Sequence, residues 1–168
     1  QKTAGSPTLA EAQERAKPHF EQGLRHLHDG VLEKAVECFK MASVMAPGES
    51  KFRMLYEDTL LQLNTDKARL LLSKARGLEA AGSTMEAGNS FAKAADLMPG
   101  MASYAVRAAE MYLKAGQVVA ALEYAERGVS ISPNRKEARL VAAAAQQANS
   151  DSTKARQHLK VVVSLDAQ

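Results

Sequence analysis

The chain has 168 residues, of which 46% are hydrophobic and 24% are charged, and its net charge is only +3. These values are ordinary for one soluble globular domain with a substantial core. The small basic excess forms no concentrated stripe with interleaved aromatic residues, which argues against nucleic-acid binding. No apolar run approaches the roughly 18 residues that predict a membrane-spanning helix, so we expect no membrane insertion.

Helical spacing begins after a short polar leader. We interpret residues 1–8 as a leader or linker and residues 9–168 as a single domain. Thr8 and Glu11 match a capping box, which predicts a helix that starts near residue 9. Pro18 removes one backbone hydrogen bond, so it predicts a kink or a restart of that helix.

The next two predicted helices are separated by proline and glycine. Gly30 predicts a turn into a helix over residues 31–45, which Pro47 ends. Residues 50–65 are predicted to form an extra helix whose apolar residues we assign to the core rather than to a partner. A turn at Asn64-Thr65-Asp66 is predicted to end this helix, with Asp66 as the N-cap of the next one.

Six further helices complete an all-α chain of about nine helices. They are predicted over residues 67–81, 85–97, 101–115, 118–131, 136–148 and 152–165. Ser83 with Glu86, and Asn134 with Glu137, match capping boxes at two of the helix starts. No strand-like alternation of useful length interrupts this pattern.

One short pattern recurs four times along the chain. It reads Ala-x-x-x-Phe-x-x-Ala, with a proline five residues further on, and its leading residues are Ala35, Ala87, Ala121 and Ala155. The steps between these alanines are 52, 34 and 34 residues. The first two copies are complete, and the third has Ala125 in place of the aromatic. The fourth keeps the leading alanine but has Leu159, Val162 and Ala167 at the other three positions. A period of 34 is typical of helix–turn–helix units that stack because one unit alone cannot bury its apolar face.

These residues resemble the tetratricopeptide repeat family. Gly23, Ala75, Ala109 and Ala143 occupy the small position of the first helix of each unit, and Tyr112 occupies the aromatic position of the third unit. The resemblance implies an α-solenoid of antiparallel helix pairs wound into a right-handed superhelix, with units over residues 16–49, 68–101, 102–135 and 136–168. The alternative is an ordinary helical bundle, which would need no fixed step.

The resemblance also implies a concave groove, lined by the first helix of each unit, that binds a peptide or helix of another protein. The candidate groove residues by position are Lys17, Phe20, Leu24, Leu27, Arg69, Arg76, Ser103, Arg107, Glu110 and Lys114. The three arginines are suited to attract carboxylates through bidentate hydrogen bonds. The alternative is a solvated face with intramolecular ion pairs, for instance between Arg107 and Glu110.

One sub-class of the family clamps the C-terminal carboxylate of heat-shock chaperones with lysine, asparagine and arginine side chains. Units two to four of this chain present Leu72 and Arg76, then Arg107, then Glu137 and Val141 at these positions. The clamp is therefore absent from the sequence.

No catalytic or metal-binding constellation is recognisable. His19 and His26 share a helix face but lie about 10 Å apart along the axis, too far apart to chelate one metal ion. No phosphate-binding loop or nucleophile elbow occurs. We therefore expect a protein that is not an enzyme and needs no cofactor or metal.

The function predicted from these observations is a protein–protein interaction adaptor, within a larger bacterial protein or assembly in the cytoplasm. One alternative is a chaperone for a secreted or pilus subunit, which an apolar groove at Phe20, Leu24 and Leu27 would favour. Another is a structural oligomerisation module. The final helix carries apolar residues through which the chain would self-associate: Val161, Val162, Val163 and Leu165.

Overall fold

The fold is known from a computed structural model, which describes residues 8–167. Within this range the chain is all-helical, as predicted. The eight helices are α1 (Leu9–His28), α2 (Leu32–Met45), α3 (Ser50–Ala80), α4 (Thr84–Leu97), α5 (Ala102–Lys114), α6 (Val118–Ile131), α7 (Lys136–Ala148) and α8 (Ser152–Asp166). The chain divides into two compact units, residues 1–64 and 65–168, and helix α3 belongs in part to each.

The N-terminal unit is built on the packing of α1 against α2. The predicted capping box is confirmed: the Glu11 amide donates to Thr8 Oγ1, and the Thr8 amide donates to the Glu11 carboxylate. Helix α1 continues through Pro18 without a restart. Its small residues let the two helices approach closely, and the core that results contains Ala16, Phe20, Ala35, Phe39, Ala42, Ala46 and Phe52.

The predicted turn at residues 64–66 is wrong. The extra helix predicted over residues 50–65 and the helix predicted over 67–81 are one continuous helix, α3, which explains why eight helices are found in residues 8–167 instead of about nine. Asn, Thr and Asp are weak helix formers but cost only a few tenths of a kcal/mol each. Buried Leu63 and Ala68 flank them, so packing on either side outweighs this cost.

The C-terminal unit is a sequential stack of helices. Each of α4 to α8 packs against its neighbour along the chain, and α5 also contacts α7. The leading alanines of the repeat pattern all lie in equivalent, buried surroundings: Ala87 and Ala121 have no exposed surface and Ala155 has 4%, as Ala35 has none in the N-terminal unit. The repeat pattern therefore marks the positions where paired helices touch.

The turns within the helix pairs follow the same spacing. Gly30, Gly82 and Gly116 have positive φ angles of 74°, 79° and 72°. Ser150 lies 34 residues after Gly116 and takes the same left-handed conformation, with φ of 64°, although its β-carbon makes that conformation costly. The helix ends are thus set by the repeat even where glycine is missing.

Two of the predicted capping boxes are wrong. Ser83 stands at the N-cap of α4, but its side chain makes no capping hydrogen bond. The N-cap of α7 is Arg135, not Asn134, and it also lacks a side-chain cap. Helices α4 and α7 are nevertheless well formed because tertiary packing of an apolar face stabilises a helix more than its caps do.

The aromatic that the third repeat lacks is partly replaced by its neighbour. Ala125 at the aromatic position is fully buried, and Tyr124 packs its ring against Tyr112, with centroids 5.8 Å apart. The Tyr124 hydroxyl donates to Asp96 at 3.3 Å. Burial, together with the nearby Asp96 charge, raises the pKa of Tyr124 to about 12. Although Tyr124 lies one residue before the aromatic position of the repeat, it still connects α6 to Tyr112 of α5 and Asp96 of α4.

Candidate functional site

The C-terminal unit has a cleft where the predicted groove residues of α3 and α5 meet. Its volume is about 190 Å³, and it is lined by Leu72, Arg76, Phe91, Ser103, Tyr104 and Arg107. A second depression of about 370 Å³ runs along α3 beside Arg69, Leu72, Ser73 and Arg76. Because Leu72 and Arg76 belong to both, the two depressions form one surface, which we call the arginine cleft.

Arg107 is held in place by two carboxylates. Its guanidinium donates to Glu79 of α3 and to Glu110 of its own helix. Lys114 Nζ lies 3.8 Å from Glu79. The hydrogen bond from Arg107 holds the pKa of the Glu79 carboxyl below its usual value, so both partners are charged at neutral pH. The intramolecular ion pair between Arg107 and Glu110 is thereby confirmed.

An aromatic ring gives Arg107 a third contact. The guanidinium carbon lies 5.3 Å from the centroid of the Phe91 ring, a distance suited to a cation–π interaction. The Phe91 side chain is itself buried and belongs to the core. Arg107 is therefore a bridge between α3, α4 and α5 as well as part of the cleft wall.

Arg76 differs from Arg107 in having no such partner. Within residues 8–167 no carboxylate forms an ion pair with Arg76, and its side chain is exposed at the cleft. Arg69 lies 3.5 Å from Asp66, but both side chains are about half exposed or more, so this pair is weak. Arg76 is thus the cation in the cleft with the most freedom to bind an external carboxylate.

The structure brings some of the predicted groove residues together and adds one. Arg76, Ser103 and Arg107 share the cleft, while Glu110 pairs with Arg107 and Lys114 pairs with Glu79. Tyr104 was missed by the sequence analysis. It is next to Ser103 on α5, but no repeat position marks it, and its contribution depends on how α5 is rotated against α3.

Phe20 does not line the apolar groove that was predicted in the N-terminal unit. Phe20 is only 7% exposed, and its ring lies between those of Phe39 and Phe52, with centroids at 5.6 and 4.6 Å. Phe20 is therefore a core residue, because the first turns of α3 cover the surface that a groove would have needed. Leu27 also packs against this core, while Lys17 and Leu24 are exposed.

Neither a metal centre nor a membrane-spanning helix is found in the part of the chain that the structure describes. Among residues 8–167, no group of three or more His, Cys, Asp or Glu side chains is arranged to hold a metal ion. None of the helices in this range has both the length and the apolar character needed to cross a membrane.

Comparison with known proteins gives matches only at the level of structure. No protein-family model matches the sequence, and no curated protein matches it significantly. The structure described as the first TPR of Spaghetti (RPAP3) bound to HSP90 peptide SRMEEVD matches with a TM-score of 0.56 and 20% identity, covering 61% of this chain and 82% of that one.

Two further solved structures match most of the chain. The structure described as the TPR2AB-domain:pHSP90-complex of yeast Sti1 gives a TM-score of 0.56 at 16% identity and covers 93% of this chain and 64% of that one. MamA gives a TM-score of 0.54 at 15% identity, with 92% and 93% covered. These likenesses show the fold: the chain is a TPR-like α-solenoid, as the repeat pattern predicted.

Proposed function

We propose that this protein is a non-catalytic adaptor that binds an acidic segment of another protein in the arginine cleft. The observation that carries the proposal is the position of Arg76, an exposed cation that no carboxylate of residues 8–167 neutralises, beside apolar and hydroxyl-bearing side chains. Guanidinium groups pair with carboxylates through two parallel hydrogen bonds, which gives both affinity and orientation.

The remaining cleft residues supply different contacts. Leu72 and Tyr104 offer apolar surface, and the hydroxyls of Ser103 and Tyr104 are available to hydrogen-bond a peptide backbone. Arg107 is already paired with Glu79 and Glu110, so it shapes the wall of the cleft, and Arg76 together with Arg69 provides the charge for the partner.

The comparisons support a peptide-binding role without identifying the peptide. The RPAP3 structure holds the acidic HSP90 peptide SRMEEVD, and the Sti1 structure is described as a pHSP90 complex. This chain lacks the carboxylate clamp at the corresponding positions, so we propose that its partner presents acidic side chains within a segment instead of a C-terminal carboxylate.

Comparative affinity purification tests the proposal. The full chain, the variant Arg76→Glu and the control Lys34→Glu would each be used as bait, followed by quantitative mass spectrometry. Lys34 is an exposed lysine on α2, so the control has the same change of charge away from the cleft. We expect Arg76→Glu alone to lose one set of proteins. Identical protein sets for all three baits would reject the arginine cleft as the binding site.

The chaperone alternative receives less support from the structure. It needs an apolar groove at Phe20, Leu24 and Leu27, and the burial of Phe20 leaves Leu24 as the main exposed apolar side chain of that set. The predicted cytoplasmic location and the predicted role within a larger bacterial assembly stay as proposals that rest on the fold alone.

A further inference from the structure

Helix α8 has a second apolar stripe on the side that faces away from the rest of its unit. Ala155 and His158 are buried against α7, whereas Leu159 and Val163 are 44% and 69% exposed. Together with Arg156 and Lys160, they line a shallow cleft of about 340 Å³. The spacing i, i+3, i+4, i+7 places these four residues on one helix face, which is the pattern of a helix-packing surface.

The repeat shows what such a face does elsewhere in the chain. The residues 34 positions earlier, on α6, are Leu122, Ala125, Glu126 and Val129. Ala125 is fully buried and Val129 is 8% exposed, and both belong to a core cluster that includes Val141 and Ala142 of α7. On α6, therefore, the part of this face formed by Ala125 and Val129 is covered by the next helix of the stack, while Leu122 is partly buried and Glu126 is exposed at its edge.

The same is true one repeat earlier still. The corresponding residues of α4 are Gly88, Phe91, Ala92 and Ala95, all of which are buried. Gly88 lies so near Tyr112 of α5 that an added β-carbon would approach the tyrosine ring to 3.0 Å. Twice in this unit, then, the face that α8 leaves exposed is the docking surface for a following helix.

The charges on this face specify the chemistry of what would cover it. On α6, Glu126 Oε1 accepts a hydrogen bond of 2.8 Å from Gln146 Nε2 of α7. The residue equivalent to Glu126 on α8 is Lys160, which donates instead of accepting, and Arg156 adds a second cation in place of Leu122. Within residues 8–167 neither Arg156 nor Lys160 has an ion-pair partner, and the aspartates at the two ends of α8, Asp151 and Asp166, pair with Lys154 and Lys136.

We propose that the stripe formed by Arg156, Leu159, Lys160 and Val163 binds an acidic amphipathic helix of a partner protein. This helix would pack on α8 as α5 packs on α4 and α7 packs on α6. It would carry small apolar residues toward Leu159 and Val163, and a carboxylate at the position that Gln146 has on α7.

A second copy of this chain fits the stripe poorly. Two copies related by a two-fold axis through α8 would bring together two stripes that both carry positive charge. Stacking of a second copy through its α1 would place His26, the repeat equivalent of Gln146, where a carboxylate is needed. The charge pattern therefore favours a different protein as the occupant.

A charge-swap titration tests the proposal with defined probes. Two capped peptides would span residues 134–149, the α7 segment, and carry Gln146→Glu or Gln146→Lys. Each would be titrated into the full ¹⁵N-labelled chain, as wild type, as Lys160→Glu and as the control Lys34→Glu. Lys160 and Lys34 are both exposed, so neither variant disturbs the core.

We expect the wild type and Lys34→Glu to bind the glutamate peptide about three- to fivefold more tightly than the lysine peptide, as for an exposed ion pair. The amide shifts should centre on α8, and Lys160→Glu should reverse the preference. Leu159→Ser should weaken both peptides. Equal affinity for both peptides, no shifts at millimolar peptide, or shifts confined to other helices would overturn the proposal. So would sedimentation showing that the wild type self-associates and that Leu159→Ser is monomeric.

Discussion

Gly23 on α1 lies against the ring of Phe39 on α2, so closely that a β-carbon at residue 23 would approach Phe39 Cε1 to 2.6 Å. The Phe39 side chain has no exposed surface and is flanked by Phe20, so it has no space into which to move. The small residue of the first helix and the aromatic of the second, both predicted from the repeat pattern, therefore pack directly against each other.

Gly23→Ala is expected to destabilise the protein even though alanine favours helices. Overpacking against a buried ring costs about 1–3 kcal/mol, and the gain in helix propensity returns at most about 1 kcal/mol. The control is Gly77→Ala in α3, where an added β-carbon meets nothing within 4 Å. That variant should gain about 0.5–1 kcal/mol. Urea unfolding of both variants measures the difference, and a Gly23→Ala protein as stable as Gly77→Ala would contradict the close packing of Gly23 on Phe39.

Ser150→Gly is expected to stabilise the turn between α7 and α8. Ser150 has a φ of 64°, which a residue with a β-carbon adopts only at a cost, so glycine should gain about 0.5–1 kcal/mol. Gly116→Ala changes the equivalent turn one repeat earlier in the opposite sense and should lose a similar amount. Thermal unfolding of the two variants checks the prediction, which fails if both shift the melting temperature in the same direction.

Arg107 is expected to contribute to the stability of the fold, whereas Arg76 is not. Arg107→Leu breaks the pairs with Glu79 and Glu110 and should cost about 1 kcal/mol, a value kept low because the Arg107 side chain is 38% exposed and solvent screens it. Arg76→Leu removes a side chain that has no ion pair within residues 8–167 and should change the free energy of unfolding by less than about 0.5 kcal/mol. Chemical denaturation of both variants measures the two changes in the free energy of unfolding. An equal loss of stability in the two variants would mean that Arg76 also stabilises the fold.

Tyr124 is expected to make the protein less stable in alkali. Burial raises its pKa from the ordinary value of 10 to about 12. The folded state holds the Tyr124 proton more tightly than the unfolded chain does. The contribution of this proton to the free energy of unfolding is therefore complete below pH 10 and is lost as the pH rises toward 12. Unfolding of wild type and Tyr124→Phe between these pH values measures the effect. The wild type should lose more stability than the variant, and parallel losses would contradict it.

The HSP90 peptide SRMEEVD is expected to show no preference for a free C-terminus on this chain. The positions of the carboxylate clamp hold Leu72, Arg76, Arg107, Glu137 and Val141, so no lysine and asparagine pair awaits the terminal carboxylate. Fluorescence anisotropy with the free and the C-terminally amidated peptide should give dissociation constants within about twofold of each other. Much weaker binding of the amidated peptide would show that the chain does bind a C-terminal carboxylate and would contradict the prediction.

The positions of the repeat residues can be predicted from the sequence because they depend on packing between helices that are close along the chain. The alanines at residues 35, 87 and 121 were predicted where two helices touch, and they are fully buried. The predicted range of α6, residues 118–131, agrees with the structure, because Gly116 and Pro133 mark its two ends. The predicted starts of α4 and α7 agree with the structure to within one residue, but the capping boxes predicted from Ser83 and Asn134 do not form.

The candidate site was less accessible to sequence reasoning. Arg76, Ser103 and Arg107 follow from repeat positions, but the pairing of Arg107 with Glu79 joins residues 28 positions apart on two helices. The burial of Phe20 depends on Phe52, which lies in a segment outside the repeat spacing. No local pattern reports contacts of this kind.

The sequence by itself determined the helical class, the 34-residue repeat and the small residues at helix crossings, because each depends on the periodicity of a single helix or on the size of one side chain. Only the tertiary structure decided that α3 runs unbroken through residues 64–66, that Phe20 is core, and that Arg107 is neutralised while Arg76 is free of ion pairs within residues 8–167. The physical reason is that these outcomes are set by competition between distant side chains for the same space and the same charges.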